Sequence, residues 1–189
     1  MSWPVFIKSA LRDPSRIGAV APSSAHLARQ MVDDSDIRDG MCILEVGAGT
    51  GPMTAELIRR GHTPDLVLEP CDDLRAVLLN AHPSVNVVAD SVADLAHTRA
   101  EHAMAPFDRV VSSLPWANWS PTDQNTRLGA ILDNMTNDGR MVTFTYAHTS
   151  MLPKARRFRR VLLERFQTVT ISPVVWKNTP PAMVYRCQR

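Results

Sequence analysis

A chain of 189 residues is about one domain long, by the usual span of roughly 100–200 residues, and can bury a core without disulfides or metals. A hydrophobic fraction of 44% excludes wholesale disorder, and a net charge of +2 gives no ground by itself for a nucleic-acid binder. Three widely spaced cysteines, Cys42, Cys71 and Cys187, form neither a CxxC pair nor a metal-ligand set, so reduced structural thiols and no metal site are expected.

The start, "MSWPVFIKSALRDPSR", lacks a continuous apolar signal core, and no apolar run approaches the ~20 residues that span a bilayer. A cytoplasmic protein is the expectation. Residues 1–39 read as an N-terminal cap or membrane-docking segment, helical in pattern from Ser24 to Val32, ahead of a main domain over 40–189. Strand-like runs then follow at 41–46, 65–70, 85–90, 107–114 and 139–146, with a last pair at 166–177 and 181–188. Helical spacing of apolar residues marks "PMTAELIRR", "CDDLRAVLLNA" and "PTDQNTRLGAILDNM" between the earlier strands. This alternation predicts an α/β domain with a mostly parallel, seven-stranded sheet. Its first strands are apolar throughout, as strands buried on both faces are. The final two are joined by a proline-containing loop, which predicts a closing antiparallel hairpin.

The chemistry-bearing stretch is "ILEVGAGTGPMTAELI", a strand running through a glycine-rich turn into a helix. A dinucleotide fingerprint would need its third glycine where Pro52 stands, and a P-loop would need a lysine that is absent. Both phosphate readings weaken. The pattern Glu45-x-Gly47-x-Gly49-x-Gly51 suits a ligand with a cationic or zwitterionic end instead. Glu69 follows at the end of the second strand, where a carboxylate can accept from ribose hydroxyls. Asp90, with Ser91 after it, ends the third strand, within reach of an exocyclic adenine amine. Each feature alone is an ordinary connector, helix cap or solvated charge. Three acidic strand ends in this order favour S-adenosylmethionine.

The segment 41–146 resembles the class I S-adenosylmethionine-dependent methyltransferases, with their Rossmann-like fold. "RIGAVAPSSAHLARQM", "VVSSLPW", "VTFTY" and "WKNTPPAMVY" extend the likeness over nearly the whole chain, to the bacterial phospholipid N-methyltransferases. That resemblance implies successive methylation of phosphatidylethanolamine on its amine. The chain departs from the family pattern at "PCDDL" after Glu69, at Ala89 before Asp90, and at Ser113 in "SSLP". These departures leave room for another amine acceptor. The loop after the fourth strand, with Ser113, Leu114, Pro115 and Trp116, is where such enzymes hold the methyl acceptor. It is similar to the NLPY element of adenine methylases, but Ser113 replaces the asparagine, which counts against base methylation. Trp116 and Trp119 either pack the loop or lay aromatic faces on a methylammonium. Tyr146 and then His148 are the candidate bases, since an ammonium must lose a proton before it can attack. The alternatives kept open are an rRNA adenine N6-methyltransferase, a small-molecule N- or O-methyltransferase, and a fold that binds without catalysis.

A monomer touching anionic membrane peripherally is expected, with no stable nucleic-acid complex. The contact would use Trp3, Phe6, Ile7 and Leu11 with neighbouring basic residues, and the run "KARRFRR" at 154–160. The same run could hold RNA phosphates.

Overall fold

The structure, a computed structural model, describes residues 23–189. The expected interfacial helix near the N-terminus lies outside the described residues. Helix α1 (Ala25–Ser35) begins where Ser24 caps it, the Ser24 Oγ accepting from Leu27 N at 3.2 Å. Alternation then follows: β1 (Ile43–Val46), α2 (Pro52–Arg59), β2 (Leu66–Leu68), α3 (Asp72–Ala81), β3 (Val87–Val88), α4 (Leu95–Glu101), β4 (Phe107–Ser112), α5 (Pro121–Asp133), β5 (Met135–Tyr146), α6 (Pro153–Arg165), β6 (Thr168–Ile171) and β7 (Ala182–Gln188).

The seven strands form one sheet in the order β3-β2-β1-β4-β5-β7-β6. Neighbours from β3 to β5 pair in parallel, and β7 runs antiparallel to both β5 and β6, as the sequence pattern predicts. Side chains on successive strand residues separate the two faces. Val111, Val142 and Val184 pack with Leu27 and Met31 of α1 and Met53 of α2. Val110, Met141 and Tyr185 pack with Leu128 and Ile131 of α5 and Phe158 and Leu162 of α6. Fully burying each such side chain contributes about 1.5–3 kcal/mol, which makes these two layers the main source of stability.

Several elements differ from the sequence reading. The third strand shrinks to Val87–Val88, both half-buried on the sheet edge, where a short strand limits open backbone pairing. The sixth ends at Ile171 because Pro173 has no N–H to continue the ladder. Ser172 still bonds Val184 through both backbone and side chain, and the chain meets β7 again only at the Val175–Ala182 bridge. Helices α4 and α6 were not anticipated. In α6, Pro153 sits in the first turn and Ala155, Phe158, Val161 and Leu162 form the buried stripe, while basic residues fill most of the rest.

Candidate functional site at the carboxyl edge

Strand β1 leaves the sheet into a turn in which Gly47, Gly49 and Gly51 have φ of 72°, 60° and 85°, the left-handed region that glycine tolerates best. The three are not equivalent. A Cβ on Gly47 would lie 2.9 Å from Leu114 Cδ2, and one on Gly51 would collide with Leu78 Cδ1. A Cβ on Gly49 meets nothing within 4 Å. The first and third glycines are therefore needed for packing, whereas the second turns its bare Cα toward open space.

Glu69 holds this turn in place. Its Oε2 accepts from Gly49 N at 2.7 Å and its Oε1 from Cys71 N at 3.0 Å. The carboxylate is 5% exposed, and burial raises its pKa against the lowering effect of those two N–H donors. It is a clamp across the ends of β1 and β2. Each oxygen keeps a second lone pair, so this clamp leaves accepting capacity for a hydroxyl. Gly47 N closes the same corner on Leu68 O at 2.9 Å.

Glu45 lies wholly buried in β1, beneath the turn. Thr54 Oγ1 donates to its Oε2 at 2.7 Å, while Oε1 has no partner. Burial pushes its pKa up to about 7, the hydrogen bonds from Thr54 opposing and the Glu69 charge adding. Thr54, on the first turn of α2, is a site residue that sequence reasoning missed. Further along the edge, Asp90 lies two residues past β3 and accepts from Thr98 Oγ1 at 2.6 Å. Ser91 caps the short 3-10 turn Val92–Asp94 by accepting from Ala93 N at 3.2 Å.

The loop after β4 lies beside the glycine turn, because Ser113 N donates to Val46 O at 2.9 Å and Leu114 packs at Gly47. Ser113 Oγ is buried with no hydrogen-bond partner. Buried polar atoms are nearly always satisfied, so the orphans here, Glu45 Oε1, Thr50 Oγ1 and Ser113 Oγ, mark a place that a polar ligand would complete. The Leu114 carbonyl already accepts from Trp116 N at 2.9 Å. Trp116 departs from the expectation of a face offered to substrate. It is 2% exposed, stacks on Phe158 with ring centroids 5.0 Å apart, and donates from Nε1 to Ser112 Oγ at 3.0 Å. Trp119 packs edge-on against it and carries the Arg127 guanidinium 4.4 Å over its ring. Both tryptophans build the loop.

Tyr146 ends β5, half-buried, with Phe144 at 5.6 Å between ring centroids and His148 at 6.0 Å. Burial pushes its pKa up to about 12, so its hydroxyl is protonated at neutral pH, the direction opposite to what a general base needs. His148 is exposed. A groove of about 650 Å³ lies elsewhere, between α2 and α3 on the Thr50 and Gly51 side of the turn. It is lined by Pro52, Ala55, Ala76 and Val77 among others, and of the anticipated residues it includes Gly51 alone.

At the other end of this edge, Ser24 N donates to Asn178 Oδ1 at 2.9 Å, and Asn178 Nδ2 donates to Pro180 O at 2.6 Å. The N-terminus of α1 is thereby tied to the β6–β7 loop.

No protein-family model matches the sequence. Among solved structures, the glycopeptide N-methyltransferase MtfA complexed with S-adenosyl-L-homocysteine aligns with a TM-score of 0.69 at 12% identity, covering 87% of this chain and 90% of that one. Magnesium protoporphyrin IX methyltransferase from Synechocystis PCC 6803, with bound S-adenosylmethionine, aligns at 0.64 and 10% identity, covering 86% and 76%. By fold, the chain shares the Rossmann-like α/β architecture of class I S-adenosylmethionine-dependent methyltransferases. An ornithine lipid N-methyltransferase of Singulisphaera acidiphila is 27% identical over 191 residues, spanning 97% of this chain and 94% of the relative. No helix among the described residues is long and apolar enough to cross a membrane.

Proposed function

We propose that the chain transfers methyl from S-adenosylmethionine to the amine of a lipid headgroup. The observation that carries this reading is the end-to-end similarity to an ornithine lipid N-methyltransferase. The Ser24–Asn178 hydrogen bond supports it, because it joins the "GAVAPSS" and "NTPPA" segments, which separate the phospholipid N-methyltransferase resemblance from the generic one. Phosphatidylethanolamine and an amino-acid lipid such as ornithine lipid share the feature that matters, an amine on a membrane-held headgroup.

S-adenosylmethionine supplies an electrophilic methyl group on a sulfonium. Gly47, Gly49 and Gly51 would hold it over the open side of Gly49, with Glu45 beneath the turn and Glu69, Asp90 and Ser91 along the successive strand ends. The residues fit such a group on two counts: the unfilled space at Gly49 and the unpaired Glu45 Oε1. The acceptor side falls to Ser113, Leu114 and Pro115. Ser113 Oγ, buried and unpaired, accepts an N–H of the incoming amine and so orients its lone pair. Trp116 contributes through the loop's shape, from behind. Tyr146, protonated at neutral pH, offers a hydroxyl at the mouth. The exposed His148 lies where an ammonium's proton could pass to solvent.

The test is transfer of radiolabelled methyl from S-adenosylmethionine into the organic phase, with vesicles containing phosphatidylethanolamine and, separately, ornithine lipid. Label in either lipid, lost in Gly49→Ala, is the expected result. Bound S-adenosylmethionine with no label in either lipid would overturn the lipid reading.

A further inference from the structure

Five large hydrophobic side chains are exposed among the described residues: Leu79, Met151, Leu152, Leu163 and Trp176. Three of them, Met151 at 74%, Leu152 at 53% and Trp176 at 75%, lie on two loops at one edge of the sheet. Met151 and Leu152 follow β5 and precede α6, and Trp176 lies between β6 and β7. The last residue of β5 pairs with the first of β7, Tyr146 with Ala182, so both loops leave the sheet side by side. Ala147 N donates to Pro181 O at 2.8 Å and fastens the first loop to the second, which Val175 N closes on itself by donating to Ala182 O at 2.7 Å. The pair is a braced ridge carrying solvent-exposed apolar side chains.

The charge carried by the two loops and the start of α6 has one sign. Lys154 and Arg156 open α6 and Lys177 follows Trp176; all three are exposed, and none forms an ion pair among the described residues. Between residues 147 and 181 the only acidic residue is Glu164, near the far end of α6 and roughly 15 Å down that helix. Apolar tips ringed by unpaired cations suit the boundary between headgroups and acyl chains of an anionic bilayer, with tryptophan at the headgroup level. A single-stranded nucleic-acid surface would instead use aromatic faces for stacking, and of the three tips only Trp176 has one.

We infer that the 149–153 and 173–181 loops form a docking ridge for an anionic membrane surface, with Met151, Leu152 and Trp176 inserted and Lys154 and Lys177 on the lipid phosphates. Its purpose rests on the lipid-amine reading. Because β4 neighbours β5, a bilayer seated on this ridge lies beside the Ser113–Pro115 loop, and a headgroup amine reaches it without its lipid leaving the membrane.

The experiment is sedimentation of the full chain with phosphatidylcholine vesicles, with and without phosphatidylglycerol. Alongside it, methylation of a short-chain phosphatidylethanolamine dissolved as monomers is assayed. Trp176→Ala and the double variant Met151→Ser/Leu152→Ser should each partition about tenfold more weakly onto anionic vesicles while methylating the dissolved lipid as before. Lys154→Gln/Lys177→Gln should erase most of the preference for anionic vesicles, and Leu163→Ser, exposed elsewhere, should change nothing. If no amine lipid is methylated but binding still falls with Trp176, the ridge stands and the substrate reading falls. The ridge is overturned if the unaltered chain does not sediment, if the ridge variants sediment like it, or if Leu163→Ser loses as much. Loss of single-stranded RNA retention in the ridge variants, with vesicle binding intact, would overturn it in favour of an RNA surface.

Discussion

Glu45 and Thr54 place an acid–hydroxyl pair in the floor of the glycine turn, and the acid's burial has a measurable consequence. Its pKa of about 7 in the folded chain, above the ordinary 4.5, means the folded state holds the proton to higher pH than the unfolded state does. Stability from this group is therefore complete below about pH 4.5 and is lost as pH rises through 7, up to about 3 kcal/mol. Glu45→Gln keeps an acceptor for the Thr54 hydroxyl and carries no charge. Without cofactor it should be about 1–3 kcal/mol more stable than the parent near pH 8, with the difference vanishing near pH 4.5, as urea unfolding at the two values would show. A variant that tracks the parent at both would mean that Glu45 is not a buried carboxylate. The glycines separate by the same local logic. Gly49→Ala places a methyl in open space at positive φ, so it should cost about 1–2 kcal/mol of stability and yet remove S-adenosylmethionine binding in calorimetry. Gly51→Ala drives its methyl into Leu78 and should lose more stability than that. Equal damage to both properties in both variants would dissolve the distinction.

The loop after β4 and helix α6 show how elements redefine a residue's role. In "SSLPWANW" the sequence gives two tryptophans near a methyl acceptor, and an aromatic face for a cation is a fair expectation. What it does not give is the partner. Phe158 stacks on Trp116 from α6, a helix whose apolar stripe of Ala155, Phe158, Val161 and Leu162 is diluted by the basic residues of "KARRFRR". Without α6, Trp116 has no aromatic partner to stack on. The acidic strand ends and glycine turn were legible because they depend on local order along β1 and β2. Thr54's bond to Glu45 and the Ser24–Asn178 tie depend on packing between segments and were not. Trp116→Phe should keep the stack and lose the bond to Ser112, costing about 1–2 kcal/mol in chemical denaturation, with methyl transfer within a few-fold of the parent. Trp116→Ala should cost about 3–5 kcal/mol. A loss of transfer in Trp116→Phe larger than its loss of folded protein would return the indole to the substrate.

At the scale of the whole molecule, the residues proposed to hold the ligand lie at the ends of β1, β2, β3 and β4, so binding would couple four strands that otherwise meet only through the sheet. A ligand that binds the folded state alone stabilises it by about 2.7 kcal/mol at a hundred times its dissociation constant. For a chain of 189 residues each kcal/mol raises the melting temperature by about 2–4 °C, so saturating S-adenosylmethionine should raise it by about 5–10 °C. NAD and ATP should not reproduce the rise, because Pro52 stands where the dinucleotide fingerprint has its third glycine and no lysine follows the turn. The shift should disappear in Gly49→Ala and persist in Trp176→Ala, since the first alters the cofactor turn and the second only the exposed ridge. Scanning calorimetry of the three chains with each nucleotide decides it. An equal shift with ATP would mean that the glycine turn accepts phosphate after all. A shift retained in Gly49→Ala would place the cofactor away from the open side of that turn.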